Sequence, residues 1–156
     1  MAQMTLPAEG GCRCGALRIR VTQHPMVTAV CHCTGCQKMT GSAFSTTAMI
    51  PMEGFEVIAG DPVVGGLKGP EIHHQHCPDC LSWVFTTFGP DRPFVNLRAT
   101  MLDDPSWFVP FAEFCTAERL SWAGVGAPHS FDSFIPPEDR AAALADFAAF
   151  YASSEG

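Results

Sequence analysis

The stretch Cys31-His32-Cys33-Thr34-Gly35-Cys36 places three thiols within six residues, and the rest of the chain is organised around it. Cysteines this close together are poorly spaced for ordinary disulfides but well spaced to converge on one metal ion. Two further clusters flank the stretch, Cys12-Arg13-Cys14 upstream and Cys77-Pro78-Asp79-Cys80 downstream. Because these clusters hold seven of the eight cysteines, their division decides both the fold and the function.

The composition indicates one globular domain spanning residues 1–156. Hydrophobic residues make up 47% of the 156-residue chain and charged residues 16%, which suits a buried core. No window approaches the ~18 consecutive apolar residues of a membrane span, and residues 1–10 lack the basic and apolar regions of a secretion signal. We therefore expect a cytoplasmic protein without a membrane segment, in which clustered cysteines bind metal rather than form disulfides.

The charge balance disfavours nucleic acid as a partner. The formal net charge is −7 at pH 7, whereas nucleic-acid-binding surfaces are basic. Residues 1–50 are nonetheless locally cationic, because they hold Glu9 as their one acidic residue against four basic residues: Arg13, Arg18, Arg20 and Lys38. We interpret these cations as partial compensation for thiolate charge, with capture of an anionic ligand as the alternative.

Hydrophobic patterning predicts a mainly β protein. Residues 16–22 alternate apolar and polar side chains with the period of two that is typical of a strand. Short apolar runs separated by glycine and proline predict further strands at 26–31, 43–50, 55–59, 63–67, 72–76, 83–88 and 94–98. Strands at this spacing indicate a small antiparallel all-β domain. Gly10, Gly11 and Gly15 are expected to give the backbone around Cys12 and Cys14 the freedom to fold around an ion.

Helices are predicted at only two places. One helical turn is expected through residues 37–40, ended by Gly41. A C-terminal helix is predicted at about 137–152, because two prolines and an acidic first turn precede an alanine-rich segment. Its apolar residues recur at three- and four-residue spacing, so this helix should pack on the sheet through one face: Leu144, Phe147, Phe150 and Tyr151.

The clustered thiols divide most simply into four and three. Structural zinc sites fill all four tetrahedral positions with protein ligands, whereas catalytic sites keep one position open. One closed site would join two distant segments through Cys12, Cys14, Cys77 and Cys80, and an open site would use Cys31, Cys33 and Cys36. The spacing also allows Cys31 and Cys33 to pair with Cys77 and Cys80, or one structural zinc with the remaining cysteines as ordinary buried thiols.

The three clusters, in the form Gly11-Cys12-Arg13-Cys14-Gly15, Cys31-His32-Cys33-Thr34-Gly35-Cys36 and Cys77-Pro78-Asp79-Cys80, resemble the glutathione-dependent formaldehyde-activating enzyme family, which includes centromere protein V-like proteins. The resemblance covers roughly residues 10–135. It implies an all-β zinc fold of the Mss4-like type with two zinc ions per chain. The structural zinc would be held by Cys12, Cys14, Cys77 and Cys80, and the catalytic zinc by Cys31, Cys33 and Cys36. The sequence departs from the family pattern at Leu81, where glycine is usual, and at Gln37, where a basic residue is common.

An open three-cysteine zinc site suggests carbon–sulfur lyase chemistry. Zinc favours the thiolate form of a bound thiol, so a glutathione cosubstrate could add to formaldehyde and give S-hydroxymethylglutathione. The expected partners are therefore a small-molecule thiol or an aldehyde adduct. Three thiolates leave the metal with one net negative charge, which weakens it as a Lewis acid. The alternative is a non-catalytic zinc-stabilised binding domain in which only the structural zinc is present.

Other residues near the clusters are interpreted as packing residues. His32 lies between two expected ligands and should point away from the ion, as surface or supporting packing. His74 and His76 would share one face of a strand and His73 the other, so the three cannot converge on one metal. Cys115 is expected to be a buried thiol rather than a nucleophile.

Overall fold

The computed structural model describes residues 3–67 and 69–153. Within these residues the chain forms eleven strands and two α-helices. In chain order they are β1 (Ala8–Gly11), β2 (Arg18–Val21), β3 (Val27–Cys31), α1 (Thr34–Thr40), β4 (Ser45–Pro51), β5 (Phe55–Ala59), β6 (Val63–Gly65), β7 (Ile72–His76), β8 (Trp83–Phe88), β9 (Phe94–Leu97), β10 (Ala112–Phe114), β11 (His129–Ser130) and α2 (Arg140–Ala152). None of the helices described is long and apolar enough to cross a membrane.

The strands form two sheets, and the predicted mainly β fold with a C-terminal helix is confirmed. A three-stranded antiparallel sheet has the order β1-β2-β5, and an eight-stranded sheet has the order β11-β10-β3-β4-β9-β8-β7-β6. The arrangement departs from the predicted antiparallel pattern at β10, which pairs in parallel with both β3 and β11. Parallel neighbours need a long connection rather than a hairpin, and residues 32–111 separate β3 from β10.

Alternation along β2 places its apolar side chains in the core between the sheets. Ile19 and Val21 are fully buried, while Arg18 and Arg20 are only half-buried and reach carboxylates. The long apolar run at β3 is buried along its whole length, because β3 lies inside the larger sheet between β4 and β10. The predicted strands at 55–59, 72–76 and 83–88 have the bounds observed for β5, β7 and β8.

The sequence did not predict β1, β10 or β11, which are short or glycine-containing. Gly10 and Gly11 belong to β1 rather than to a loop. Gly10 is a bridge partner of Leu102, and a Cβ atom at this position would collide with the backbone of Met101 and Leu102. The glycine therefore serves close backbone packing. The backbone freedom expected beside the first cysteines is used at Gly15, whose φ is +82°.

Both predicted helices are present, but each begins at a different residue from the one predicted: α2 begins at Arg140, after a 3-10 turn at Pro137–Asp139. The first begins at Thr34 rather than residue 37, because the Cys33 sulfur accepts a hydrogen bond from the Cys36 amide and caps the helix. It ends at Gly41 in the left-handed conformation, as predicted. Helix α2 packs through Phe147 and Tyr151, which are buried with Ala143, and the Phe147 ring lies 5.4 Å from that of Phe111.

Candidate metal centres

Four thiols from two distant segments meet at one place, here called the four-thiol cluster: Cys12, Cys14, Cys77 and Cys80. Their sulfur atoms all lie within 4.8 Å of one another. The Cys14 sulfur is 3.5 Å from that of Cys12 and 3.7 Å from that of Cys77. Zinc–sulfur bonds of about 2.3 Å in a tetrahedron require sulfur atoms about 3.8 Å apart, far longer than a disulfide. The arrangement therefore fits a closed tetrahedral zinc site, and all four cysteines are free.

Backbone turns present the sulfurs of this cluster. The Leu17 amide donates a hydrogen bond to the Cys12 sulfur at 3.2 Å. In the second turn, the Leu81 amide donates to the Cys77 carbonyl at 3.0 Å. The hydroxyl and amide of Ser82 lower the pKa of Cys80 to about 5, which favours its thiolate form.

The turn after Cys80 keeps a glycine-like backbone although the residue is leucine. Leu81 has a φ of +58°, in the left-handed region that glycine adopts without cost. Its side chain is 69% exposed, so it gains little from packing. The departure from the family pattern at Leu81 thus leaves the turn in place and strains one residue.

The second group, here called the three-thiol cluster, contains Cys31, Cys33 and Cys36. Their sulfur atoms also lie within 4.8 Å of one another, at the junction of β3 and α1. Within the described chain, no further cysteine, histidine or carboxylate belongs to this group. Cys31 is buried, but Cys33 and Cys36 are partly exposed, so a small molecule can reach the cluster. Three converging thiols with access from solvent fit an open zinc site.

Hydrogen bonds from neutral groups orient the sulfurs of the three-thiol cluster. The Cys36 amide donates to the Cys33 sulfur at 3.3 Å, and the buried Ser45 hydroxyl donates to the Cys36 sulfur at 3.1 Å. The neighbouring Cys31 thiol and burial raise the pKa of Cys36, and the bond from Ser45 acts in the opposite direction. Metal binding requires deprotonated thiols. The negative charge of the three thiolates must therefore be compensated when an ion binds.

A short turn at residues 116–118 fixes the start of α1. The Thr34 amide donates to the Glu118 carboxylate at 2.7 Å. Gln37 donates through its side-chain amide to the Glu118 carbonyl at 3.0 Å and to the His32 carbonyl at 2.6 Å. Gln37, at the position where a basic residue is common in the family, therefore attaches α1 to the backbone of His32 and Glu118.

His32 belongs to a buried charged network that the sequence did not reveal. The ring is fully buried and its Nε2 lies 2.9 Å from the Glu113 carboxylate, so His32 is not a surface residue. Arg119 donates to the same carboxylate oxygen at 3.0 Å. Burial alone would raise the pKa of Glu113, but the bonds from Arg119 and His32 lower it. The network joins β10 to the segment 31–36, which carries the three-thiol cluster. Its only sign in the sequence was Glu113 itself, an acidic residue within an apolar run.

Arg98 is a second buried charge that the sequence interpretation missed. It follows β9 and is 5% exposed, with its guanidinium over the Trp83 ring at 4.2 Å from the centroid. Burial lowers its pKa to about 10, while the nearby Cys36 and Cys31 act to raise it. The group stays charged at neutral pH. No periodic pattern of apolar residues marks position 98 as buried. The one feature of the sequence that pointed to a buried cation was the negative charge expected of three thiolates.

The arginines at positions 18 and 20 pair mainly with carboxylates rather than with the thiols. Arg18 pairs with Asp103 at 2.6 Å, and Arg20 pairs with Glu9 at 2.8 Å. Arg13 and Lys38 are exposed. Compensation of thiolate charge by this stretch is therefore partial and comes from Arg18, which also interacts electrostatically with Cys12. Among the described residues, Arg98 is a buried cation beside the three-thiol cluster.

The remaining candidates lie outside both clusters. His74 bonds to the Thr86 hydroxyl at 3.0 Å, and the His76 ring stacks on Trp83, so both are packed against β8. Cys115 is buried beside Cys31 with a φ of +56°. Burial raises the pKa of the Cys115 thiol, which therefore remains protonated at neutral pH.

Comparison with known proteins assigns the chain to a family. A sequence profile described as glutathione-dependent formaldehyde-activating enzyme matches residues 7–118, which is most of the chain. The chain belongs to this family. The match to the glutathione-dependent formaldehyde-activating enzyme family includes both thiol clusters, Arg98, His32 and Glu113, and it ends at Glu118, before Arg119 and α2.

Two fungal relatives carry the family description provisionally. The relative from Penicillium rubens is 29% identical over 113 residues, covering 68% of this chain and 59% of the relative. The relative from Aspergillus terreus is 29% identical over 146 residues, covering 81% and 76%. A solved structure of a Rhodobacter sphaeroides protein has a TM-score of 0.50 at 17% identity, covering 61% of this chain and 87% of that protein, and supports the fold alone.

Proposed function

We propose that this chain is a zinc-dependent carbon–sulfur lyase-like enzyme that forms or cleaves S-hydroxymethylglutathione or a related thiol–carbonyl adduct. The observation that carries the proposal is the separation of the thiols into a group of four and a group of three. A closed group needs no further ligand and stabilises the fold, whereas an incomplete group leaves a position for substrate. The family to which the chain belongs supports glutathione and formaldehyde as substrates.

In this proposal the four-thiol cluster holds a structural zinc and the three-thiol cluster a catalytic zinc. A zinc ion held there by three thiolates would favour the thiolate form of a bound thiol. Cys31, Cys33 and Cys36 hold the ion. The Ser45 hydroxyl orients the Cys36 sulfur, and the Cys36 amide orients the Cys33 sulfur. The Glu118 carboxylate accepts a hydrogen bond from the Thr34 amide and so holds the start of α1.

The reaction balances without a redox partner. In the forward direction the thiol sulfur bonds to the carbonyl carbon of formaldehyde, and the thiol proton is transferred to the carbonyl oxygen. In the reverse direction the carbon–sulfur bond breaks and the hydroxyl proton returns to sulfur. The chain contributes position and charge compensation, so we expect a modest acceleration of a reaction that also proceeds in water.

Metal content and rate together test the proposal. Freshly purified protein is expected to contain about two zinc ions per chain, and Cys33→Ser about one. Formation of the adduct from glutathione and formaldehyde should be faster with intact protein than with Cys33→Ser. Cys115→Ser is the matched control, since it removes a thiol outside both clusters.

The outcome also separates the enzyme from a binding domain. One tightly held zinc per chain, with equal rates for intact protein and Cys33→Ser, would favour the non-catalytic zinc-stabilised binding domain. Two zinc ions with equal rates would reject the catalytic role while keeping both metal sites.

A further inference from the structure

Arg98 is a buried cation whose surroundings offer it no carboxylate. Nη1 donates to the Ser45 hydroxyl at 3.0 Å and Nη2 donates to the Asn96 carbonyl at 3.2 Å, while Nε has no partner. Among residues 3–67 and 69–153, no acidic side chain forms an ion pair with Arg98. Burying a charge without an opposite charge is costly. Apart from the Trp83 ring, the guanidinium contacts only neutral hydrogen-bond acceptors, and no described carboxylate neutralises its charge.

In the proposed zinc-loaded state the three-thiol cluster supplies an anion, because zinc is bound by thiolates. Ser45 bridges the two groups, because its oxygen accepts a hydrogen bond from Arg98 and donates one to the Cys36 sulfur. Through Ser45 the buried guanidinium lies one side chain away from the Cys36 sulfur, so charge on the cluster acts on it at short range. Attraction between such charges is much stronger in a buried site than in water.

We propose that Arg98 is a positioning residue that compensates the charge of the metal-loaded three-thiol cluster and allows it to accept an anionic fourth ligand. The inference rests on the proposed zinc site. Three thiolates around Zn²⁺ carry one net negative charge, and a bound thiolate substrate would add another. Adding the charge of Arg98 makes the loaded site neutral before the substrate binds. Arg98 thus offsets the negative charge that makes an all-thiolate zinc site a poor acceptor of anions.

The four-thiol cluster provides an internal comparison. The hydrogen-bond donors to its sulfurs include the neutral Leu17 amide and the hydroxyl and amide of Ser82, and Cys14 is exposed to solvent. A closed structural site accepts no further anion. Loss of the Arg98 charge should therefore affect one metal site of the chain and leave the other unchanged.

Zinc affinity measured by competition with a chromophoric chelator tests the first half of the proposal. Arg98→Met should lower the affinity of the three-thiol cluster by roughly 10- to 100-fold, as for other residues that support metal ligands. The affinity of the four-thiol cluster should not change. Arg98→Lys should retain part of the zinc affinity because it keeps the positive charge. Arg98→Gln should not retain it, because glutamine keeps hydrogen bonding but not the charge. Arg92→Met is the matched control, since Arg92 is exposed and lies over Phe88 instead.

Binding of two probe ligands to cobalt-substituted protein tests the second half. The absorption of cobalt(II) reports ligands entering the open position. Arg98→Met should weaken binding of 2-mercaptoethanol, which binds as an anion, at least 10-fold more than binding of neutral imidazole. A purely structural role would weaken both ligands equally, and that result would overturn the inference.

The other outcomes are also decisive. Equal zinc affinities for intact protein, Arg98→Met and Arg98→Gln would overturn the role of Arg98 while leaving the proposed function intact. Failure of the intact three-thiol cluster to bind zinc or cobalt would instead reject the proposed function. If Arg98→Met does not fold, Arg98→Gln and Arg98→Lys carry the same comparison of charge.

Discussion

The four-thiol cluster should stabilise the fold by closing a long loop, and Cys14→Ser tests this. The sulfur atoms of Cys14 and Cys77 lie 3.7 Å apart although 63 positions separate the residues in sequence. A cross-link across such a loop reduces the entropy of the unfolded chain by an amount worth about 4 kcal/mol. The corresponding value for the loop between Cys31 and Cys36 is about 2 kcal/mol.

Cys14 suits the experiment because its side chain is exposed, so serine adds no buried hydroxyl. We expect Cys14→Ser to lower the free energy of unfolding by up to about 4 kcal/mol, which is on the order of 10 °C in Tm for a chain of this size. Cys33→Ser should cost about half as much or less. Urea unfolding followed by circular dichroism, with zinc content measured on the same samples, gives both values.

Removal of zinc from the intact protein provides the control. A chelator should bring its stability down to that of Cys14→Ser and should have little further effect on the variant. Equal stabilities for Cys14→Ser and Cys33→Ser would refute the loop-closure reasoning. So would an intact protein that loses both metals without losing stability.

Four further perturbations probe other parts of the structure. Leu81→Gly should raise the free energy of unfolding by up to about 1 kcal/mol in urea titrations, because it relieves left-handed strain at an exposed side chain. Phe147→Ala should lower it by about 3–5 kcal/mol, and an unchanged Tm would show that α2 does not depend on this contact. The hydrogen bond from the Thr34 amide lowers the pKa of Glu118, so the stabilisation by the ionised carboxylate should be present above about pH 4.5 and be lost as the pH falls further. The free energy of unfolding of Glu118→Gln, measured from pH 3 to 7, should therefore differ from that of the intact protein only at the higher pH values. Cys115→Ser should keep its full zinc content by elemental analysis, since a neutral buried thiol is not a ligand.

Local patterns predicted the parts of the molecule that depend on neighbouring residues. The alternation around Ile19 indicates β2, and the spacing of Cys33 and Cys36 reflects a sulfur that caps its own helix. The resemblance to a family supplied the division of the thiols, which spacing alone left open. The structure brings the cysteines together in the same groups of four and three. Their roles as zinc ligands stay a prediction.

Residues whose partners lie far away in sequence were not predictable in this way. Glu113 lies on a three-residue strand that is too short to show alternation, and its partner His32 is 81 positions away. Arg98 meets Ser45 across 53 positions, and nothing around it in sequence indicates burial. A charged side chain is ordinarily assigned to the surface. Only the tertiary structure shows that Glu113 and Arg98 are buried and which groups each of them contacts.

The parallel pairing of β10 with β3 has a consequence for how a newly synthesised chain matures. Chains emerge from the ribosome beginning at the N-terminus, and all four cysteines of the first cluster are available once Cys80 has emerged. Strand β10 follows about 30 residues later, bringing Glu113 to His32 and then Glu118 to Thr34. In a nascent chain the four-thiol cluster can therefore assemble before β10 supports the three-thiol cluster, so the proposed catalytic centre is completed after the proposed structural one.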